Sequence, residues 1–272
     1  MSEAPEERLS QLERKLGLLE KFSTEAFWMA LDRAYEATLP HRELICIVCG
    51  HTTLRSGFAV LTDRCIFGGG TLERYQCPAC DAIFGPQKCL DLSEEFISLD
   101  YSILYSRYAE TDSTNSEIRT FRSLTPRCGG LYLNWGCGTW SRTISQLRAE
   151  GFDVWGFDPN PPVSNPHVVT RRDEISAPFD GIFSNNVIEH FRSPVRQFKE
   201  FHSILRPGGV MAHSSPCYEY AYGCTRFHTL FLPGRSADVL AKRTGFRVRQ
   251  RTKDGEYINV IFERLPIDEI RR

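Results

Sequence analysis

Short apolar runs alternate with longer amphipathic stretches through the second half of the chain. The short runs are rich in β-branched and aromatic residues and have the length of strands, whereas the stretches between them have helical spacing. The strand-like runs begin at residue 131 and continue at residues 154–157, 168–170, 181–184 and 210–213. Helices are predicted at residues 140–150 and 194–205, the second with Phe198 and Phe201 on one face. This alternation predicts right-handed crossovers and an α/β fold with a mostly parallel sheet.

The end of the chain departs from that alternation. Residues 246–251 and 257–264 both have strand patterns, and a short turn containing Asp254 and Gly255 joins them. Because so short a connection joins antiparallel neighbours, an antiparallel hairpin is predicted at the C-terminal end of the sheet.

The first forty residues carry a helical pattern of their own. Leu9, Leu12, Leu16 and Leu19 recur at steps of three and four residues, which predicts one or two amphipathic helices over residues 6–38. We expect this apolar face to pack on the body of the same chain. The alternative is a short coiled-coil contact in a homodimer through the N-terminal helix, although the leucine register is brief for that purpose.

The strand that begins at Leu131 ends in a glycine-rich turn. Gly136 and Gly138 permit positive φ and leave the backbone bare, so a ligand can lie against the turn itself. Asp158, at the end of the next apolar run, is then placed to accept hydrogen bonds from two ribose hydroxyls. This arrangement predicts a site for a ribose-bearing cofactor. The alternative is an ordinary strand-to-helix turn in which the glycines serve only geometry.

Four blocks of sequence, taken in order, resemble the class I S-adenosylmethionine-dependent methyltransferases. They are Leu133-Asn-Trp-Gly-Cys-Gly-Thr139, Gly156-Phe-Asp158, Phe179-Asp-Gly-Ile-Phe-Ser-Asn-Asn-Val-Ile-Glu-His190 and Leu205-Arg-Pro-Gly-Gly209. The resemblance covers about residues 118–265. It implies a Rossmann-like methyltransferase sheet, S-adenosyl-L-methionine as the cofactor and methyl transfer as the activity.

The resemblance also implies roles for single residues. The implied cofactor-binding residues are Asn134, Gly136, Cys137, Gly138, Asp158, Asp173, Asn185 and Asn186. The two glycines would line the methionine part of the cofactor, with Cys137 approaching through its backbone. Asp158 would bind the ribose, and Asp173, with Glu174, the adenine amino group. The two asparagines would stand at the reacting end.

Two positions depart from the family pattern. Asn134 stands where relatives usually have an acidic residue, so it brings no negative charge to the cofactor. Trp140 stands where many relatives have a third glycine, and it either narrows the pocket or provides an aromatic wall for the cation. These departures leave an inactive methyltransferase-like domain as an alternative. A dinucleotide is the alternative cofactor, with Ser141 at the last glycine position, but it leaves the block around Glu189 and His190 unexplained.

A hydroxyl acceptor requires a base, and His228 and His190 are the catalytic candidates. His228 ranks first because the resemblance places acceptor-side residues in its region. His190 follows the fourth strand at the opening of a helix. The alternative for each is a histidine that packs in the core or caps a helix, with Glu189 a first-turn carboxylate.

Four cysteines upstream have the spacing of a metal site. Cys46 and Cys49 form one C-x-x-C pair and Cys77 and Cys80 a second, and two such knuckles complete a tetrahedral four-thiolate site. Structural Zn²⁺ is therefore predicted, with His51 as an alternative ligand. The competing interpretations are disulfides or a redox pair. Arginines and carboxylates are mixed between the two pairs, which disfavours nucleic acid as the partner of this module.

Composition sets the remaining bounds. The chain has 272 residues, of which 41% are hydrophobic, and a formal net charge of −1. These values indicate one full-sized domain with smaller additions and no basic field for nucleic acid or an anionic membrane. No segment is apolar for long enough to span a bilayer, and the polar, acidic N-terminus predicts a cytoplasmic protein.

Four units and one acceptor class complete the predictions. The units are an N-terminal amphipathic helical segment (1–40), a zinc-binding module (41–90), a helical linker (91–125) and an S-adenosylmethionine-dependent methyltransferase domain (126–272). By family-level analogy the acceptor is predicted to be a small molecule or glycan, with O- or C-methylation. The alternative is a non-catalytic, zinc-containing adaptor.

Overall fold

A computed structural model describes residues 5–106, 108, 111–138, 142–159, 165–175 and 178–266. Trp140 and Ser141 lie outside the described residues. The helices are α1 (Pro5–Thr38), α2 (Gln87–Leu90), α3 (Glu94–Tyr105), α4 (Thr114–Ser123), α5 (Thr143–Ala149), α6 (Pro194–Ile204) and α7 (Ser236–Arg243). The strands are β1 (Glu43–Ile45), β2 (Thr52–Leu54), β3 (Ala59–Arg64), β4 (Thr71–Gln76), β5 (Ile83–Phe84), β6 (Leu131–Trp135), β7 (Asp153–Phe157), β8 (Val168–Val169), β9 (Phe179–Asn185), β10 (Leu205–Ser214), β11 (Leu230–Phe231), β12 (Phe246–Asp254) and β13 (Tyr257–Arg264).

Seven strands form the central sheet in the order β12-β13-β10-β9-β6-β7-β8. The pairs among β10, β9, β6, β7 and β8 are parallel, whereas β13 pairs antiparallel with both β10 and β12. The predicted fold is confirmed: a mostly parallel Rossmann-like sheet that ends in an antiparallel hairpin.

Helices cover both faces of this sheet because neighbouring residues in its strands point to opposite sides. In β6, Tyr132 packs with Phe121 of α4, while the next residue, Leu133, belongs to the core cluster that contains Phe198 of α6. Both faces of the central strands are therefore buried, as expected of parallel strands with near-continuous apolar sequences.

A smaller sheet, β11-β5-β4-β3, takes three of its strands from the predicted zinc-module region, which also contains the two-stranded sheet β1-β2. Its fourth strand comes from far along the chain, because Leu230 and Phe231 pair with Phe84 and Ile83. The sheet thus joins residues 59–84 to the second half of the chain by backbone hydrogen bonds. The four domain boundaries given above remain predictions.

The N-terminal segment is one continuous helix, α1. The expectation that its leucine face packs on the body of the chain is wrong for the first half, since Leu9, Leu12, Leu16 and Leu19 are 51–67% exposed. The second half makes the contacts: Trp28 is buried against Phe96, and Asp32 forms an ion pair with Lys88. A homodimer through this helix remains a prediction. None of the described helices combines the length and apolar composition needed to cross a membrane.

Candidate functional site

The glycine turn after β6 has the backbone that the sequence predicts. Gly136 and Gly138 have φ angles of 68° and 53°, in the left-handed region that favours glycine. The N–H groups of Gly136 and Cys137 donate to the carbonyl of Phe157 at 2.8 and 3.1 Å, which ties the turn to the end of β7. A Cβ on Gly136 would lie 2.8 Å from Cγ2 of Val187. The turn therefore needs glycine both for its conformation and for its approach to the segment after β9.

Two predicted cofactor carboxylates lie beyond the carboxyl ends of neighbouring strands. Asp158 follows β7, and its Oδ2 accepts a hydrogen bond from the N–H of Gly138 at 2.9 Å. Asp173 lies in a short 3₁₀ turn after β8, where Nε of Arg171 donates to its Oδ1 at 3.0 Å and holds its pKa below the usual range. This edge of an open α/β sheet is where ligands bind.

A carboxylate from a different secondary-structure element lies in contact with Asn134. Nδ2 of Asn134 donates to Oε2 of Glu117, on α4, at 2.6 Å, and the two residues are only 1% and 4% exposed. The hydroxyl of Ser113 donates to the other oxygen of Glu117. A buried negative charge therefore lies beside the position where relatives carry their own acidic residue.

Sequence reasoning missed Glu117. Thr114 and Glu117 have the T-x-x-E spacing of a helix capping box, so the glutamate looks like a local capping residue. The pairing with Asn134 spans 17 residues and depends on α4 packing over β6. Cys137, in the glycine turn, lies close to two carboxylates. Burial and the nearby carboxylates of Asp158 and Glu117 raise the pKa of its thiol. Its thiol therefore stays protonated and serves packing.

The fourth strand of the prediction, β9, ends in two asparagines. Asn185 accepts a hydrogen bond from the hydroxyl of Ser214 at 2.8 Å, and the N–H of Asn186 donates to the carbonyl of Ser214 at 2.8 Å. Asn186 has a φ of 54°, a left-handed conformation that is strained for a non-glycine residue and is concentrated at functional sites.

The two candidate catalytic histidines meet in space, although 38 positions separate them in the sequence. The ring centroids of His190 and His228 are 5.0 Å apart, and Glu189 is buried beside them. Nδ1 of His190 lies 2.7 Å from the hydroxyl of Tyr101 and 3.0 Å from the carbonyl of Phe227.

Both histidines are neutral at physiological pH. Burial lowers the pKa of His190 to about 4, and burial together with the neighbouring His190 and Arg74 lowers the pKa of His228 to about 2. A base with so low a pKa accepts a proton weakly, since general bases work best near the operating pH.

A small pocket adjoins His190. Its aromatic wall consists of Trp28, Tyr101 and Phe227. Arg226 also lines it, with both guanidinium arms on the carboxylate of Asp100 at 2.6 and 2.7 Å. Tyr101 comes from α3, so this helix brings an aromatic side chain to the pocket beside His190.

His213, by contrast, is a core residue. It stacks on Phe201 with ring centroids 5.3 Å apart, and its Nδ1 contacts the hydroxyl of Ser184 at 2.7 Å. Burial lowers its pKa to about 3.

The four predicted metal-binding cysteines converge. Their sulfur atoms all lie within 4.8 Å of one another, with Cys46–Cys80 and Cys49–Cys77 separations of 3.6 and 3.5 Å. A tetrahedral zinc site with Zn–S bonds of about 2.3 Å has sulfur atoms about 3.8 Å apart, so the cluster fits that ion. None of these four cysteines forms a disulfide, and His51 approaches Cys49 through its backbone N–H rather than through its ring.

Known proteins are similar to this chain in both sequence and fold. A family model described as a methyltransferase domain matches residues 107–257. The tRNA U34 carboxymethyltransferase of Idiomarina loihiensis is 29% identical over 150 residues, which cover 44% of this chain and 46% of that protein. The chain thus spans about half the length of that relative.

Solved structures are also similar to this chain. The 1,6-didemethyltoxoflavin-N1-methyltransferase of Burkholderia thailandensis, with bound 1,6-didemethyltoxoflavin and S-adenosylhomocysteine, has a TM-score of 0.50 at 15% identity and covers 72% of this chain and 96% of that chain. Magnesium protoporphyrin IX methyltransferase of Synechocystis PCC 6803, with bound S-adenosylmethionine, has a TM-score of 0.41 at 15% identity and covers 64% and 98%.

The family match covers more than half of the chain and includes the glycine turn, both asparagines and both histidines. The protein therefore belongs to the methyltransferase domain family. Its fold is that of the class I S-adenosylmethionine-dependent methyltransferases, the class of enzyme that the sequence predicted.

Proposed function

We propose that the protein transfers a methyl group from S-adenosyl-L-methionine to a hydroxyl or carbon of a small-molecule or glycan acceptor. The observation that carries this proposal is the edge formed by the positive-φ turn at Gly136 and Gly138, with Asp158 at the neighbouring strand end. Bare backbone beside a fixed carboxylate fits a ribose-bearing ligand.

The chain's own residues divide the cofactor between them. Asp158 binds the ribose, Asp173 the adenine amino group, and Asn185 and Asn186 the reacting end. When bound, S-adenosylmethionine supplies an electrophilic methyl group on a sulfonium.

The protein's main contribution is position, since methyl transfer is an in-line displacement. Holding the reactants in attack geometry contributes about 7–11 kcal/mol to lowering the barrier. The buried carboxylate of Glu117, held through Asn134, offsets the positive charge of the cofactor. His190 and His228 lie on the acceptor side, beside the pocket walled by Tyr101 and Phe227.

A nucleic-acid acceptor is the rival within the same activity, because the curated relative is a tRNA-modifying enzyme. The near-neutral charge of the chain, −1, gives little support to binding a polyanion, which depends on phosphate neutralisation by Lys and Arg. The pocket beside His190 is small and has an aromatic wall, and aromatic linings are typical of small-molecule sites.

We also propose that the four-cysteine cluster holds a structural Zn²⁺, with the geometry given above as its support. Four thiolates leave no open position for substrate, so the ion would stabilise the fold and take no part in methyl transfer.

Calorimetry with S-adenosylmethionine tests the proposed function. Wild type should bind one cofactor per chain, and Asp158→Ala should abolish binding. Asp153→Ala, at the exposed start of the same strand, is the matched control and should bind as wild type does. A folded wild type that does not bind the cofactor would refute the proposal.

Transfer of a radiolabelled methyl group to fractions of a cell extract then identifies the acceptor. Label in a metabolite or glycan fraction supports the proposed class, and label in RNA supports the rival. Cofactor binding without label in any fraction would favour the non-catalytic adaptor.

A further inference from the structure

Glu189, His190 and His228 form a cluster that the steps above do not use as a unit. We propose that these three side chains bind a divalent first-row transition-metal ion at the acceptor end of the site. The statement that the ion lies beside the acceptor rests on the proposed function, whereas binding of the ion itself is independent of methyl transfer.

The distances between the three side chains are compatible with a single shared metal ion. The three side chains offer ligand atoms that all lie within 4.8 Å of one another. In a tetrahedral site, bonds of about 2.0–2.2 Å from imidazole and carboxylate place neighbouring ligand atoms about 3.4 Å apart, so side-chain rotations that bring the three groups closer would complete the site.

Each of the two histidines has a backbone carbonyl close to its Nδ1. The carbonyl of Phe227 lies 3.0 Å from Nδ1 of His190, and the carbonyl of Tyr222 lies 3.1 Å from Nδ1 of His228. A carbonyl oxygen only accepts, so the contact at His228 favours a proton on Nδ1 and a lone pair on Nε2. At His190 the hydroxyl of Tyr101 also lies 2.7 Å from Nδ1, where it donates or accepts according to the tautomer. A ligating histidine characteristically donates its other N–H to a backbone carbonyl in this way.

The donor set indicates the class of ion. Glu189 is 1% exposed and supplies negative charge, while the two imidazoles are borderline-soft nitrogen donors that suit Zn²⁺, Fe²⁺ and Co²⁺ better than Mg²⁺ or Ca²⁺. Three protein ligands leave open positions, which distinguishes this cluster from the closed four-cysteine site.

Open positions matter because Glu189 and His190 come shortly after Asn186, at the proposed reacting end, and His190 lines the pocket walled by Tyr101 and Phe227. An ion there can take the oxygen of an acceptor hydroxyl and lower its pKa. The O–H bond then breaks with the proton passing to water, and the oxygen lone pair forms the new bond to the methyl carbon as the carbon–sulfur bond breaks. The acceptor class is accordingly a hydroxyl compound.

Titration with Co²⁺ of protein that holds one Zn²⁺ per chain tests the inference. The four thiolates should keep their Zn²⁺, which binds more tightly than Co²⁺, so Co²⁺ reports the second site by calorimetry and by its visible absorption spectrum. We expect one Co²⁺ per chain and a spectrum without thiolate bands.

Two variants remove ligands by different means. His228→Ala deletes an imidazole, and Glu189→Gln keeps the shape of the side chain but removes its charge. Loss of a residue that only hydrogen-bonds to a metal ligand weakens binding by about 10- to 100-fold. Each of these variants loses a ligand itself, so each should weaken Co²⁺ binding by more than that. His41→Ala, at an exposed histidine elsewhere, is the control and should bind as wild type does.

Retained zinc and an unchanged circular dichroism spectrum show that each variant is folded. No Co²⁺ binding to wild type, or unchanged affinity in the folded Glu189→Gln variant, would overturn the inference. Calorimetry with S-adenosylmethionine in the absence of Co²⁺ is scored separately, so failure of the metal site and failure of the proposed function give different results.

Discussion

Exchanging the charge between Glu117 and Asn134 tests whether the buried carboxylate of α4 replaces the acidic residue that β6 lacks. The exchange uses three variants: Glu117→Gln, Asn134→Asp and the double variant. In the wild type the two side chains share a 2.6 Å hydrogen bond and are almost fully buried. The double variant keeps this bond with its direction reversed, since Gln donates and Asp accepts.

Glu117→Gln should weaken cofactor binding while the fold survives. At an effective dielectric constant of about 20, a unit charge that is not in direct contact with a cationic centre contributes on the order of 1–2 kcal/mol. That energy corresponds to about 5- to 30-fold in Kd, and we expect a loss of about 10-fold. Gln can still accept the hydrogen bond from Asn134, so the free energy of unfolding should fall by only about 1 kcal/mol.

Asn134→Asp alone should have the opposite pattern. It places two buried carboxylates in contact, and one of them must take up a proton or leave the site. We expect a loss of about 2–4 kcal/mol in the free energy of unfolding. The double variant should recover most of that stability, and its Kd for S-adenosylmethionine should lie within about threefold of wild type.

Urea unfolding and calorimetry provide the two measurements. The stability data form a double-mutant cycle in which we expect a coupling energy of about 2 kcal/mol. Additive effects of the two single changes, or unchanged cofactor affinity in Glu117→Gln, would show that Glu117 serves α4 alone.

Three further changes have expected outcomes in stability. Cys49→Ser should remove bound zinc and lower the melting temperature, because zinc binding contributes on the order of 10 kcal/mol to the stability of such modules. The control Cys128→Ser changes an exposed cysteine and should have neither effect. Equal zinc content in the two variants would refute the zinc site. His213 is buried, and burial lowers its pKa from 6.5 to about 3. As the pH falls below about 6.5, the unfolded chain therefore takes up a proton at His213 before the folded chain does, and the free energy of unfolding should drop by up to about 1.4 kcal/mol per pH unit between pH 6.5 and pH 3. In His213→Gln this contribution to the pH dependence of the free energy of unfolding should be absent. Asp100→Asn should cost about 3–5 kcal/mol in urea unfolding, because it leaves the buried guanidinium of Arg226 without its charged partner, and a loss below about 1 kcal/mol would contradict that account.

The sequence predicted those parts of the fold that rest on local patterns. The last strand was predicted at residues 257–264, which are the bounds of β13, because alternation and the Asp-Gly turn are visible within a few residues. The helix at residues 194–205 was predicted within one residue of α6 for the same reason, since its apolar face is periodic. Both glycines of the turn also have the positive φ that their position implied.

Features that depend on distant contacts could not be predicted. The leucines of α1 have the same period whether they face a core or solvent, so their exposure is invisible in the sequence. Glu117 has capping-box spacing, which hides its pairing with Asn134 on β6. The meeting of His190 and His228 requires the segment before β11 to return across the end of β9, and no local pattern specifies that return.

Arg74 explains how the cysteine-bearing part of the chain bears on the site. Its side chain is fully buried at β4, where it forms an ion pair with Asp63 at 3.5 Å and donates to the carbonyls of Gly223, Thr225 and His228 at 2.7–3.0 Å. Three carbonyls on one guanidinium fix the backbone that carries the His228 ring, because a buried charge without these acceptors costs several kcal/mol. β5 follows shortly after the second cysteine pair and pairs with β4, the strand that carries Arg74. The cysteine cluster is therefore connected through two neighbouring strands to the loop that carries His228. The cysteine-bearing region therefore supports the loop that carries His228, on the proposed acceptor side.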